Sequence, residues 1–310
     1  SVKLQQEFTR SRMFVHVPFC PVRALFFSAA ALRYNAPMQS VSREGVYPSA
    51  SLQPFELVNA DGSPRFLIVC DHASNALPEE YGALGLDAAE FGRHIAYDIG
   101  AGTVARLLGD YLGCPAVLAR FSRLLIDLNR AADDPTLVMK FSDGAIVPAN
   151  RDVDPFRNRV EFERRIALFH RPYHEAIAGA IMRAREAGAA PILVSIHSFT
   201  PFWRGHARPW QAGILWDRDD RLARRLLDAL RMEGLHVGDN EPYSGRLKGD
   251  CLYRHGTLNG LPHALVEIRQ DLIAGQPGQK EWAARLAGLL RQISEAPELQ
   301  AVRHYGSHAD

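Results

Sequence analysis

Two stretches decide the fold: Phe66-Leu67-Ile68-Val69-Cys70, running into Asp71-His72-Ala73-Ser74-Asn75, and Ile192-Leu193-Val194-Ser195-Ile196, running into His197-Ser198-Phe199. Each is a short apolar run rich in β-branched residues, as expected of strands buried on both faces of a parallel sheet. Each ends in a histidine. Ligands of open α/β sheets sit beyond the carboxyl ends of the strands, so the two imidazoles are expected at one sheet edge, where they can share a metal ion. A hydrolytic zinc site needs about three protein ligands and one open position.

Outward from these runs, strand and helix patterns alternate. Ala116-Val117-Leu118-Ala119, Leu124-Leu125-Ile126, Ala212 to Trp216 and Ala264 to Ile268 read as further strands. Asp87 to Leu112 reads as largely helical in two pieces, with Asp98 opening the second and Gly113 and Pro115 ending it. Val160 to Ala187 reads as one long amphipathic helix that Pro172 can kink, and helices are expected over Asp219 to Glu233 and Lys280 to Ser294. The alternation predicts a three-layer α/β/α sandwich with a mixed, mostly parallel sheet. Gly100-Ala101-Gly102 lacks the third glycine of a dinucleotide fingerprint and is expected to serve close packing. With no Walker loop and no Gly-x-Ser-x-Gly elbow, nucleotide binding and serine-hydrolase chemistry are disfavoured.

The 310 residues are enough for one large α/β domain, and 47% apolar with 23% charged residues is the balance of an ordinary globular protein. A net charge of +1 gives no pull toward nucleic acid or an anionic membrane. No apolar run reaches the ~18 residues of a membrane span. Four scattered cysteines without a C-x-x-C pair favour neither a thiolate zinc site nor a disulfide framework, and a cytoplasmic location is expected. Residues 1–47 read as an extension outside the fold, with residues 48–310 as a single catalytic domain. From Phe8 to Arg43 the extension has no acidic residue. A transit-type peptide, an amphipathic extension and an over-extended start before Met38 compete for it. The last is preferred, because globular patterning begins only near Leu52.

Several residues carry candidate chemistry. His72 and His197 are the expected metal ligands. Asp98 supplies the charge that zinc prefers, although a helix N-cap is its ordinary role. Asn75 occupies the position where a carboxylate ligand would be familiar; its amide is a weak zinc ligand, and it is also a candidate substrate contact. Asp71 is a candidate acceptor for an imidazole N–H. In the run from Arg123 to Arg130, Asn129 and Arg130 offer a donor and a planar fork for a carboxylate, while Arg123 can assist or simply pair with Asp127. Glu267 is a carboxylate in an apolar strand, which is costly unless it is paired or functional. As a general base it would take a proton from water. Tyr243, Ser244 and Arg246, in and just after a turn-rich loop, are candidate substrate contacts, although a plain surface turn explains them as well.

These segments resemble the N-formylglutamate amidohydrolase family from about Phe66 to about Asp271. The resemblance rests on Asp71-His72-Ala73-Ser74-Asn75, Tyr97-Asp98, Ser122 to Arg130, His197 to Pro201, Asn240 to Ser244 and Glu267-Ile268-Arg269. The order histidine, Asn-Arg, histidine, glutamate is similar to that of zinc carboxypeptidases and aspartoacylases, which implies a zinc-exopeptidase-like fold and one Zn2+ ion. It also implies a carboxylate clamp at Asn129 and Arg130, and Glu267 as base. The implied activity is hydrolysis of a small N-acyl amino acid such as N-formylglutamate. Another zinc hydrolase, or a non-catalytic carboxylate-binding relative, is the alternative. The chain departs from the family where His72-Ala73-Ser74 replaces His-Ser-Gly, and Asn75 stands where a carboxypeptidase-type glutamate would. Asp98 is therefore the expected third ligand, with Asn75 as its rival.

Overall fold

The computed structural model describes residues 53–310, which lie within one compact unit, Ser49–Asp310. The expectations for residues 1–47 fall outside the described residues. The strands, in chain order, are β1 (Phe55–Val58), β2 (Phe66–Cys70), β3 (Ala116–Ala119), β4 (Phe141–Ser142), β5 (Ala145–Ile146), β6 (Ile192–Phe199), β7 (Phe202–Trp203), β8 (His206–Ala207), β9 (Ala212–Leu215), β10 (Val237–Asp239) and β11 (His263–Arg269). The α-helices are α1 (Ala101–Leu112), α2 (Arg159–Arg165), α3 (Arg171–Glu186), α4 (Arg221–Met232) and α5 (Gln276–Ser294). A seven-stranded sheet in the order β1-β3-β2-β6-β11-β9-β10 forms the middle layer. It is parallel except where β1 meets β3 and β9 meets β11. The pairs β4/β5 and β7/β8 are separate two-stranded ribbons.

The central strands are apolar throughout because both of their faces are covered. Phe66, Ile68 and Cys70 of β2 pack with α1, α4 and α5, whereas Leu67 and Val69 pack with α3 and the loops on the other side. This alternation at period two makes the three layers, as the sequence predicts. α1 stops at Gly113, which takes the left-handed conformation (φ 61°) and lets the chain turn into Pro115 and β3.

Three local expectations are corrected. Leu124-Leu125-Ile126 is buried but is not a strand; it is a turn. Its carbonyls are taken by side chains and not by a neighbouring strand: Asn150 Nδ2 donates to Leu124 O at 2.7 Å, and Arg165 Nη1 donates to Leu125 O at 2.9 Å. Asp98 does not open a helix. Gly100 (φ 81°) is the N-cap of α1, and the region before it holds only a short 3-10 turn, Ala88–Gly92. The long helix expected from Val160 is divided by a π turn, Ile166–His170, just before Pro172. Proline has no N–H to give the carbonyl four residues back, so the helix widens there.

Gly102, near the start of α1, lies against the loop that carries His72. A Cβ there would meet the Ala73 carbonyl oxygen at 2.6 Å and Ala73 Cβ at 3.0 Å. Close packing is thus the role of this glycine. Gly102→Ala is expected to lower unfolding stability by about 1–3 kcal/mol, the usual cost of overpacking, as read from urea denaturation. An unchanged midpoint would show that the helix and the loop can separate freely.

Candidate active site

His72 lies just past β2, and His197 and Glu267 lie near the ends of β6 and β11. In the parallel register His197 stands beside Glu267, so both side chains leave the same face. His197 is therefore inside its strand and not beyond it. Asp98 arrives from the loop before α1, held by its backbone N–H donating to the His72 carbonyl at 3.0 Å. All four side chains are buried.

The two imidazoles meet edge to face, with ring centroids 4.9 Å apart. Each presents Nδ1 to the Asp98 carboxylate, at 2.8 Å from His197 and 3.5 Å from His72. The other nitrogens are each backed by a further carboxylate. His72 Nε2 is 2.7 Å from Asp127 Oδ1, and His197 Nε2 is 3.1 Å from Asp71 Oδ2. Those carboxylates are themselves fixed. Asp127 accepts from Arg123 Nη2 at 2.7 Å and from the Asn129 backbone N–H at 2.9 Å, while Asp71 accepts from the Tyr173 hydroxyl at 2.9 Å.

This geometry has one electrostatic consequence. An Nε2 proton engaged by a carboxylate leaves Nδ1 as a lone pair, and both lone pairs then face the Asp98 carboxylate. Acceptors turned toward one another need a cation between them. A proton can serve: burial disfavours charge on His197, yet Asp71 and Asp98 outweigh it and hold its pKa well above the usual histidine range. Burial likewise opposes ionisation of Asp98, but His72 and His197 outweigh it and hold that carboxylate well below its usual range. The same groups could hold a divalent metal, since Asp71, Asp98, Asp127 and Glu267 crowd one buried region in which Arg123 is the close guanidinium. The facing atoms of His72, Asp98 and His197 lie within 4.8 Å of one another. Neutral imidazoles oriented by carboxylates, with one carboxylate ligand, are a donor set that zinc accepts.

Glu267 differs from the other acids. Its Oε2 is buried without a hydrogen-bond partner. Burial, reinforced by nearby Asp98, pushes its pKa up to about 7 despite the opposing pull of His197, His72 and Arg123.

A cavity of about 470 Å³ opens over these groups. Arg123, Asn129, Arg130, Tyr243, Ser244 and Arg246 line it. Arg123 is turned inward, with Nη1 at 3.2 Å from His72 Nδ1 and 3.7 Å from Asp98 Oδ1. Asn129 Oδ1 accepts from the Cys251 backbone N–H at 3.0 Å, which leaves its amide nitrogen as the donor for a ligand. Arg130 is steadied by Thr136 Oγ1 at 3.2 Å and the Asn129 carbonyl at 3.1 Å. The Tyr243 hydroxyl accepts from Arg208 at 3.1 Å. Asn75 is not among the lining residues; its Nδ2 donates to the Phe91 carbonyl at 2.7 Å and ties the loop down. The structure thus does not bring Asn75 to the cavity, as ligand or as substrate contact, because its amide is spent on backbone. Sequence reasoning also missed Asp127 as the support of His72. The one available signal was its place between Arg123 and Asn129.

The profile of the N-formylglutamate amidohydrolase family matches residues 64–274. No curated protein matches the chain. Among solved structures, a gene product of Agrobacterium tumefaciens is 35% identical, covering 79% of this chain and 96% of its own, with a TM-score of 0.75. The N-formylglutamate amidohydrolase of Ralstonia eutropha is 23% identical, covering 78% of this chain and 97% of its own, with a TM-score of 0.57, a likeness of fold. Because the family profile spans most of the described residues and includes every group in the buried cluster, the chain belongs to the N-formylglutamate amidohydrolase family and is a hydrolase acting on amides.

Proposed function

We propose that the protein is a metal-dependent amidohydrolase that cleaves the amide bond of a small N-acyl amino acid of the N-formyl type, N-formylglutamate being the leading candidate. The observation that carries this reading is the convergence of three metal-capable donors, His72, Asp98 and His197, beside an unpartnered buried carboxylate, Glu267, at the floor of one cavity. Zn2+ is the ion that this nitrogen-and-oxygen set suits best. When bound, it supplies a Lewis acid for the amide carbonyl and acidifies water.

The remaining work falls to the side chains. Glu267, with a pKa near neutrality, takes a proton from the attacking water and passes it to the leaving amine nitrogen. Arg123 stabilises the negative charge that develops on the carbonyl oxygen. Asn129 and Arg130 hold the substrate carboxylate, a task suited to a planar guanidinium. Tyr243 and Ser244 complete the wall. The cavity of about 470 Å³ has room for the amino-acid portion as well as the acyl group. The buried free thiols Cys70, Cys114 and Cys251 fit a reducing cytoplasm.

With N-formylglutamate as substrate, Glu267→Gln is expected to keep metal content and KM close to the parent values and to lower kcat by about two to four orders of magnitude, the usual worth of a general base. Near-parental turnover in this variant would make Glu267 structural. A parent enzyme that releases no amino acid from any N-acyl amino acid, metal-loaded or not, would overturn the reading as a whole.

Arg130→Lys keeps the charge but loses two-point contact. Its kcat/KM is expected to fall for free-acid substrates and to change little for the same substrates with the carboxylate masked as an amide. Equal losses on both would mean that Arg130 supports the fold and does not read the carboxylate.

A further inference from the structure

Behind the candidate active site lies a second group of metal-capable side chains. α3 and the π turn before it carry His170 and His174, four residues apart and so on one helical face. The helical turn over residues 251–257 carries Cys251 and His255 at the same spacing. The two faces oppose each other. His174 Nδ1 is 2.9 Å from His255 Nε2, and their rings stack with centroids 5.1 Å apart. One ligand atom each from His174, Cys251 and His255 lies within 4.8 Å of the others. All four residues are buried.

One feature separates this group from an ordinary buried hydrogen bond. His174 Nδ1 and His255 Nε2 can share one proton, but His174 Nε2 is buried without a hydrogen-bond partner, an expensive state for a polar atom in a folded core. His170 is already fixed, with Nε2 at 2.9 Å from the Arg130 carbonyl, and it braces His174 from the side with ring centroids 4.4 Å apart.

From this arrangement we infer a second metal site, formed by His174, Cys251 and His255, that takes a thiophilic divalent ion of the zinc type. Thiolate and imidazole together select zinc-like ions over magnesium or calcium. Binding displaces the thiol proton of Cys251 to solvent. An open surface depression of about 490 Å³ has His170, His174 and His255 in its lining, so an ion and a fourth, water ligand have a route in. Arg171, Glu175 and Arg254 stand around it with mixed charge. An ion there would tie α3 to the 251–257 turn directly beneath Asn129 and Arg130. The spacing is Cys-x-x-x-His facing His-x-x-x-His, which a search for Cys-x-x-Cys passes over.

Cobalt(II) separates this site from the first, because His72, Asp98 and His197 include no sulfur. Metal-free protein, prepared under reducing conditions and titrated with cobalt(II), is expected to bind about two equivalents per chain and to show a thiolate-to-cobalt charge-transfer band in the near ultraviolet. Cys251→Ser and, independently, His255→Ala should abolish the band and leave about one bound equivalent. His197→Ala should leave the band in place. A parent protein without the band overturns the inference, as does a band that survives both substitutions. Because the readout is spectroscopic, failure of the proposed amidohydrolase activity would leave this result standing, and the reverse.

Discussion

Much of this molecule depends on one carboxylate, that of Asp98, held between the Nδ1 atoms of His72 and His197. Acceptors facing acceptors in a buried space call for a cation, which Arg123, a proton or a bound metal can supply. The surroundings make the demand stronger, since Asp127 and Asp71 fix the outer nitrogens and so aim both inner lone pairs at Asp98. The backbone serves the same end. Asp98 N–H is tied to the His72 carbonyl, the Ser198 N–H donates to Asp98 Oδ2 at 3.2 Å, and Gly102 lets α1 approach the loop after His72. β6 and β11 bring His197 next to Glu267 in register, so the position of the proposed base follows from the sheet itself.

The division of labour among the acids follows from their neighbours. For Asp98 and Asp127 the cost of burial is outweighed by the neighbouring histidines and Arg123, and both stay ionised. Glu267 has one oxygen with no partner and sits near neutrality. Environments that push the pKa values of neighbouring carboxylates apart are what acid-base catalysis requires. The same arrangement explains why Arg123 turns inward. It neutralises Asp127 and borders Asp98, leaving Arg130 as the guanidinium steadied for an incoming carboxylate.

How much of this was legible in the sequence depends on the kind of signal. The buried strands declared themselves because both faces are covered and every residue had to be apolar; β2, β3, β6 and β11 fall where the runs predict. The same rule misled at Leu124 to Ile126, where burial is met by a turn whose carbonyls go to Asn150 and Arg165, residues remote in the chain. His72, His197 and Glu267 were legible as polar groups in or just past apolar strands, and Asp98 as part of the family pattern. The support given by Asp127 was not, since an Arg-x-x-x-Asp spacing reads equally well as a plain ion pair, and it is one as well. Asn75 looked like a ligand by its distance from His72, but only the fold shows its amide turned to Phe91. The pairing of His174 with Cys251 and His255 joins two distant segments, and neither segment announces it alone.

The central claim is that a metal ion is what Asp98 and the two imidazoles share. Anomalous diffraction at the zinc edge from crystals of zinc-loaded protein tests it most directly. The account predicts a peak within coordination distance of His72 Nδ1, His197 Nδ1 and the Asp98 carboxylate, at about 2.0–2.2 Å from each. Fully loaded crystals with no peak at that point, whatever peaks they show elsewhere, would contradict it.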